Sequence, residues 1–132
     1  MSTDLSKLRF TPSHEWIRVE GNLGFVGISD HAQHEVTDVV YVELPPLNKE
    51  VKTGDEAATI ESVKAAFSIY APASGKITQT NKNLEGDPGL INRSPYDEGW
   101  IYAIELADPA ETQSLMDAKA YEAFTKTSGA HA

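Results

Sequence analysis

The chain has 132 residues, a formal net charge of −9 and no cysteine. That length accommodates one hydrophobic core, and 40% hydrophobic residues suffice to pack it, so a single domain over 1–132 is expected. The acidic balance argues against a nucleic-acid partner, which needs a basic face, and the missing cysteines exclude disulfides, thiol nucleophiles and thiolate metal sites. No apolar run approaches the length of a membrane span, and MSTDLSKLRF has neither an apolar signal core nor an arginine-rich transit composition. A cytoplasmic protein without a membrane partner is therefore expected.

Short β-prone runs follow one another along the chain. WIRV (16–19) and GFVGI (24–28) flank a Gly21-Asn22 turn signal, and VVYVEL (39–44) should put Val40, Val42 and Leu44 on one face. Between the two, Asp30 reads as an N-cap with Gln33 three residues on, giving a short helix over 30–35. AATIE (57–61), FSIY (67–70) and KITQT (76–80) come next, punctuated by Thr53-Gly54-Asp55 and Ser74-Gly75. WIYAIEL (100–106) places Tyr102, Ile104 and Leu106 on one side. From Asp108, a cap, a first-turn proline and Glu111 predict a C-terminal helix with Leu115, Met116, Ala120, Ala123 and Phe124 on its apolar stripe. A frayed tail is expected over 127–132, leaving a core of about 8–124. Many short, turn-separated strands indicate a mainly β sandwich or barrel.

The residues that could carry catalysis are sparse. His31 and His34 lie three apart on the predicted helix and could share a metal with Glu35 or His14, but one such pair supplies only two ligands; no metal site is expected. Ser13, His14 and Asp30 can be arranged as a triad, yet no nucleophile-elbow motif supports one. The chain reads as a non-enzyme.

Lys64 stands apart. ATIE and FSIYAP are separated by a few residues, so a tight hairpin puts Lys64 at or beside its tip, with small neighbours Ala65 and Ala66 and no glycine. A primary amine on a flexible stem at a rigid tip suits the attachment of a mobile arm. Turn-tip lysines also serve simply to solubilise a sheet edge, and the residues alone leave both readings open.

The stretch Glu61-Ser62-Val63-Lys64-Ala65 followed by Tyr70-Ala71-Pro72-Ala73-Ser74-Gly75 resembles the lipoyl-lysine hairpin of glycine cleavage system H-proteins. SHEW (13–16), GISDHAQ (27–33), VVYVELP (39–45), LIN (90–92) and PYDEGW (95–100) match in the family's order, so the resemblance runs from about Leu8 to Phe124. It implies a flattened barrel-sandwich hybrid of the lipoyl/biotinyl carrier type, with lipoic acid in amide linkage on Lys64. It further implies a shuttle that takes an aminomethyl group from glycine decarboxylase to the aminomethyltransferase. Electrons then pass to dihydrolipoamide dehydrogenase, and a lipoylating enzyme is a fourth partner. A freely diffusing monomer suits that role. Ser13 and Glu15 match positions that hold the loaded arm in a sheltered cleft, where exclusion of water protects the cargo.

The chain departs from the family pattern in two places. Ser68 stands where relatives commonly carry an acid, and Thr37 stands where a glycine is usual; Glu35 or His34 is a possible substitute for the lost acid, which adds both to the expected arm pocket beside Ser68. Two other roles for the same fold are a lipoate-relay donor to other lipoyl proteins and an unmodified binding module. Val63-Lys64-Ala65 lacks the Met-Lys-Met of a biotin carrier.

Overall fold

The computed structural model describes residues 5–129. After a 3-10 turn at Leu5–Lys7 come β1 (Leu8–Phe10), β2 (Glu15–Glu20), β3 (Leu23–Ile28), α1 (Asp30–Val36), β4 (Val39–Glu43) and β5 (Glu50–Val51). The chain continues through β6 (Glu56–Ser62), β7 (Ala66–Tyr70), β8 (Gly75–Thr80), α2 (Asn83–Gly86), α3 (Leu90–Arg93), β9 (Tyr102–Leu106) and, past a 3-10 segment, α4 (Ala118–Gly129). Two sheets result: six strands in the order β1-β2-β3-β9-β8-β5, and three in the order β4-β6-β7. Every ladder is antiparallel. This is the mainly β, two-sheet hybrid expected.

Local chemistry explains the strand junctions. In the turn from β2 to β3, Gly21 takes φ 63°, the left-handed first position that a two-residue hairpin favours. Gly54 takes φ 92° as third residue of a turn closed by Asp55 N–H donating to Lys52 O at 2.9 Å, a position where a side chain is disfavoured. The sheets are held together by one apolar cluster that includes Ile17, Val26, Val42, Ile60, Ile69, Ile77, Ile101 and Ile104, each at most 4% exposed. Fully burying side chains of this size contributes roughly 1.5–3 kcal/mol each before entropy is counted. A second cluster of Leu8, Phe10, Trp16 and Tyr121 docks α4, with Phe10 and Tyr121 rings stacked 4.3 Å apart. Trp16 is fully buried and donates its indole N–H to Pro95 O at 2.9 Å, tying the SHEW segment to the PYDEGW loop.

The structure corrects several expectations. Asp30 is the first helical residue and not the cap; Ser29 caps α1, its hydroxyl accepting from Ala32 N–H at 3.1 Å. In β4 a bulge between Val39 and Tyr41 shifts the alternation, so Val39 and Val42 are buried while Val40 is 54% exposed. The last strand begins at Tyr102, after Trp100 and Ile101. The C-terminal helix expected from Asp108 is split in two. Asp108 does cap, but it caps a 3-10 segment, Pro109–Ser114. Met116 then turns extended to exchange backbone hydrogen bonds with Phe10 (2.8 and 3.1 Å), and Asp117 starts α4 by accepting from Ala120 N–H. Because α4 runs to Gly129, residues 127–129 of the expected frayed tail are helical; 130–132 lie outside the described residues. The short strands β1 and β5 and the short helices α2 and α3 were not expected.

Candidate functional site

Val63, Lys64 and Ala65 form the tip between β6 and β7. Ser62 does the work that glycine does elsewhere. Its hydroxyl accepts from Lys64 N–H at 3.0 Å and Ala65 N–H at 3.2 Å, while its own N–H donates to Ala65 O at 2.9 Å. Backbone donors at a tight tip are thus satisfied without a left-handed residue. A second fastening comes from outside the hairpin: Val63 N–H donates to Asp38 O at 3.0 Å, where the chain enters β4. The tip backbone is therefore pinned on two sides. Lys64 itself is exposed and no ion pair holds it among the described residues; its amine makes one long hydrogen bond, 3.4 Å, to Glu35 O. A fixed base with an accessible amine is the geometry an arm needs.

The approach of α1 to the tip depends on Thr37 and Asn92. Asn92 accepts from Val39 N–H (2.9 Å) and donates to Thr37 O (2.8 Å) and Gln33 Oε1 (3.2 Å), clamping the end of α1 to the start of β4. Thr37 turns the chain there with φ 65°, ψ −156°, a region almost reserved for glycine and costly for a β-branched residue. The unusual threonine noted in the sequence thus occupies a position that demands glycine geometry.

Lower on β7, Glu15 crosses from the other sheet. One of its oxygens accepts from Thr11 and Ser13 hydroxyls, both at 2.6 Å, and the other from Tyr70 N–H at 3.1 Å. The carboxylate is 1% exposed and lacks a cationic partner among the described residues. Burial raises its pKa, against the hydrogen bonds of Ser13, Thr11 and the Tyr70 and Glu15 backbones that lower it. A buried, hydrogen-bonded carboxylate without a counter-ion is a costly arrangement of the sort that marks functional sites. Ser13 is exposed, and its hydroxyl is bonded to the buried Glu15 carboxylate. Beneath, the Tyr102 hydroxyl is buried and has no hydrogen-bond partner among the described residues; burial, and then the charge of Glu15, push its pKa up.

The remaining expected residues divide. The Ser68 hydroxyl donates to the Glu56 carboxylate across the β6–β7 pair, so an acid of the neighbouring strand contacts that position. Glu56 had no sequence signal, because the contact depends on the bulged register between Glu56 and Ala58. Glu35 reaches the tip through its backbone carbonyl. His34 is turned back on its own helix, 3.0 Å from Asp30 O and 3.6 Å from Asp30 Oδ2, and makes no hydrogen bond to Lys64, Ser13, Glu15 or Ser68. His31 instead packs against His14, ring centroids 4.8 Å apart, so the two α1 histidines diverge. His14 Nδ1 meets the Tyr121 hydroxyl at 2.7 Å, which also meets Ser29 Oγ at 2.6 Å, joining α4, α1 and the SHEW segment. Among the described residues no group of three or more histidines and carboxylates converges as a metal site. No described helix is long and apolar enough to cross a membrane.

Two sheets packed on one core, with a fastened hairpin presenting an exposed lysine at its tip, make up a carrier-type domain. Its relatives specify which kind. A model of the glycine cleavage H-protein family matches residues 8–128. The chain is 52% identical over 119 residues to the glycine cleavage system H protein of Symbiobacterium thermophilum, covering 90% of this chain and 93% of that one. With the H protein of Thermotoga maritima the figure is 47% over 116 residues, covering 88% and 94%. The crystal structure of the H protein from Mycobacterium marinum superposes with a TM-score of 0.81 at 29% identity, covering 94% of this chain and 98% of that one. The chain belongs to the glycine cleavage H-protein family, and its role is that of the shuttle of the glycine cleavage system.

Proposed function

We propose that Lys64 is the lipoyl attachment point and that the protein is a non-catalytic carrier. The observation that carries this reading is the tip itself: a backbone fixed by Ser62 and Asp38 O beneath an exposed amine held by one long hydrogen bond. Lipoic acid in amide linkage would supply a reversible dithiol/disulfide pair that accepts the aminomethyl group and electrons, which the cysteine-free chain cannot do. The protein's own residues fit such an arm. Lys64 supplies the amine to be acylated and loses its charge on modification. Ser13 offers a hydroxyl at the surface, and the charge of Glu15 stands directly behind it. That pair suits the ammonium end of an aminomethyl group, and the Tyr102 hydroxyl, without a partner among the described residues, adds a polar atom in a buried region influenced by Glu15.

On this reading the partners are glycine decarboxylase, the aminomethyltransferase, dihydrolipoamide dehydrogenase and a lipoylating enzyme, met in turn by a cytoplasmic monomer. The acidic surface, net charge −9, favours encounter with basic docking faces. The test is reconstitution with glycine decarboxylase: lipoylated wild type should support glycine-dependent exchange of carbon dioxide. Lys64→Arg keeps the positive charge and the fold, but its guanidinium resists acylation, so exchange should vanish. Exchange retained by K64R would refute the assignment.

A further inference from the structure

Glu15 is covered, so its charge alone is poorly placed to meet a ligand arriving from solvent. An exposed carboxylate is fixed to the same piece of β7. Glu56 is the ladder partner of Tyr70, whose N–H holds Glu15, and its carboxylate accepts from the hydroxyl of Ser68, two residues nearer the tip. The Ser68 and Tyr70 side chains share one face of β7, while Glu15 is held by the Tyr70 backbone N–H. One carboxylate is therefore anchored to the Ser68–Tyr70 segment from the β2 side and the other from the β6 side.

The distances along the hairpin suit an arm from Lys64. Ser68 is four residues beyond Lys64, and at about 3.3 Å per strand residue it lies roughly 13 Å along the chain from it. That is the span of a lysine stem with an acyl chain extended down the strand. Lys49 lines a groove of about 230 Å³ together with Glu56, Glu43 and Pro46, yet no ion pair joins Lys49 to Glu56 among the described residues. The Glu56 carboxylate is thus oriented by a neutral hydroxyl and is in no ion pair among the described residues.

We propose that Glu56 is a positioning residue of the arm cleft: oriented by Ser68, it holds the ammonium of the aminomethyl group from the solvent side while Glu15 acts from beneath. The assignment rests on the carrier reading of Lys64. Acid at the arm's resting place is then a property of the β6–β7 pair as a whole. A cross-strand Ser68–Glu56 unit presents from one strand what a single acid at position 68 would present from the other.

The experiment uses lipoylated protein loaded with the aminomethyl group, its loss to water followed as released formaldehyde. Glu56→Gln should shorten the lifetime of the loaded form about two- to fivefold, the range for one solvent-exposed charge pair, and the effect should shrink as salt rises. The extent of lipoylation should not change. The double variant E56Q/S68D returns a carboxylate to the neighbouring strand and should restore the wild-type lifetime, which a merely structural role for Glu56 would not produce. Independently, the carboxyl carbon of Glu56 should shift in the NMR spectrum on loading. An unchanged lifetime in E56Q, failure of rescue in E56Q/S68D or an unmoved Glu56 signal would overturn the proposal while leaving the carrier reading intact. If wild-type protein cannot be loaded at all, or its loaded form is no longer-lived than a lipoyl peptide around Lys64, both fall.

Discussion

Thr37→Gly is expected to stabilise this protein. Thr37 ends α1 at φ 65°, ψ −156°, with its N–H donating to Gln33 O at 3.1 Å and its carbonyl accepting from Asn92. Holding a side chain in that region costs about 1–3 kcal/mol, which glycine would avoid. Against this, glycine frees the unfolded chain, costing roughly 0.5–1 kcal/mol. The exposed hydroxyl would also give up its 2.5 Å hydrogen bond to Val36 O, a loss of about 0.5 kcal/mol. The balance is a gain of about 1 kcal/mol, or roughly 3–5 °C in Tm for a chain of this size. Thr37→Ala is the control: it loses the same hydrogen bond but keeps the Cβ, and so should gain nothing. Urea unfolding with unchanged m-value is the assay. A T37G protein no more stable than wild type, or no better than T37A, would refute the claim that this turn is strained.

Three further expectations follow from the site. Ser62→Ala removes the acceptor for two tip N–H groups and should cost about 1 kcal/mol while raising hydrogen exchange at Lys64 and Ala65; unchanged exchange would mean that the Ser62 hydroxyl does not fix the tip. Glu15→Ala leaves the Tyr70 N–H and two hydroxyls without their acceptor; it should cost about 2 kcal/mol and shorten the life of the loaded arm without preventing lipoylation. Equal lifetimes would remove Glu15 from the cleft. Burial, and then the neighbouring His31, hold the His14 pKa below its ordinary value, with Glu35 opposing. The unfolded chain therefore binds more protons once pH falls below about 6.5, and stability should drop there until folded His14 itself protonates. His14→Asn tolerates the φ of 74° and should flatten that slope between pH 7 and 5 in denaturant titrations; an undiminished slope would place its source elsewhere.

The hairpin was legible because its signals are local. Alternation in β6 and β7 and the short gap between them put Lys64 at the tip, and the chain needs only itself to make that turn. The same holds for Tyr102, Ile104 and Leu106, which are buried on β9. What escaped is non-local. β5 is two residues long and exists because Glu50 and Val51 pair with Lys76 and Gly75. The break in the C-terminal helix is imposed by Phe10, 106 positions away from Met116, and intrinsic propensity could not foresee it. In β4 one bulge was enough to move Val40 to the surface. The cleft shows the same division: SHEW marked Ser13 and Glu15, but the Tyr70 N–H that holds Glu15 lies 55 residues on. Glu56 meets Ser68 only through a bulged register.

The carrier role depends first on the amine at the hairpin tip. The direct measurement is the mass of the Lys64-containing peptide from protein purified out of its native host. A lipoyl-sized addition confined to Lys64 is the expected result. A bare Lys64 in cells whose other lipoyl proteins are modified would contradict it, leaving a carrier fold that works as an unmodified binding module.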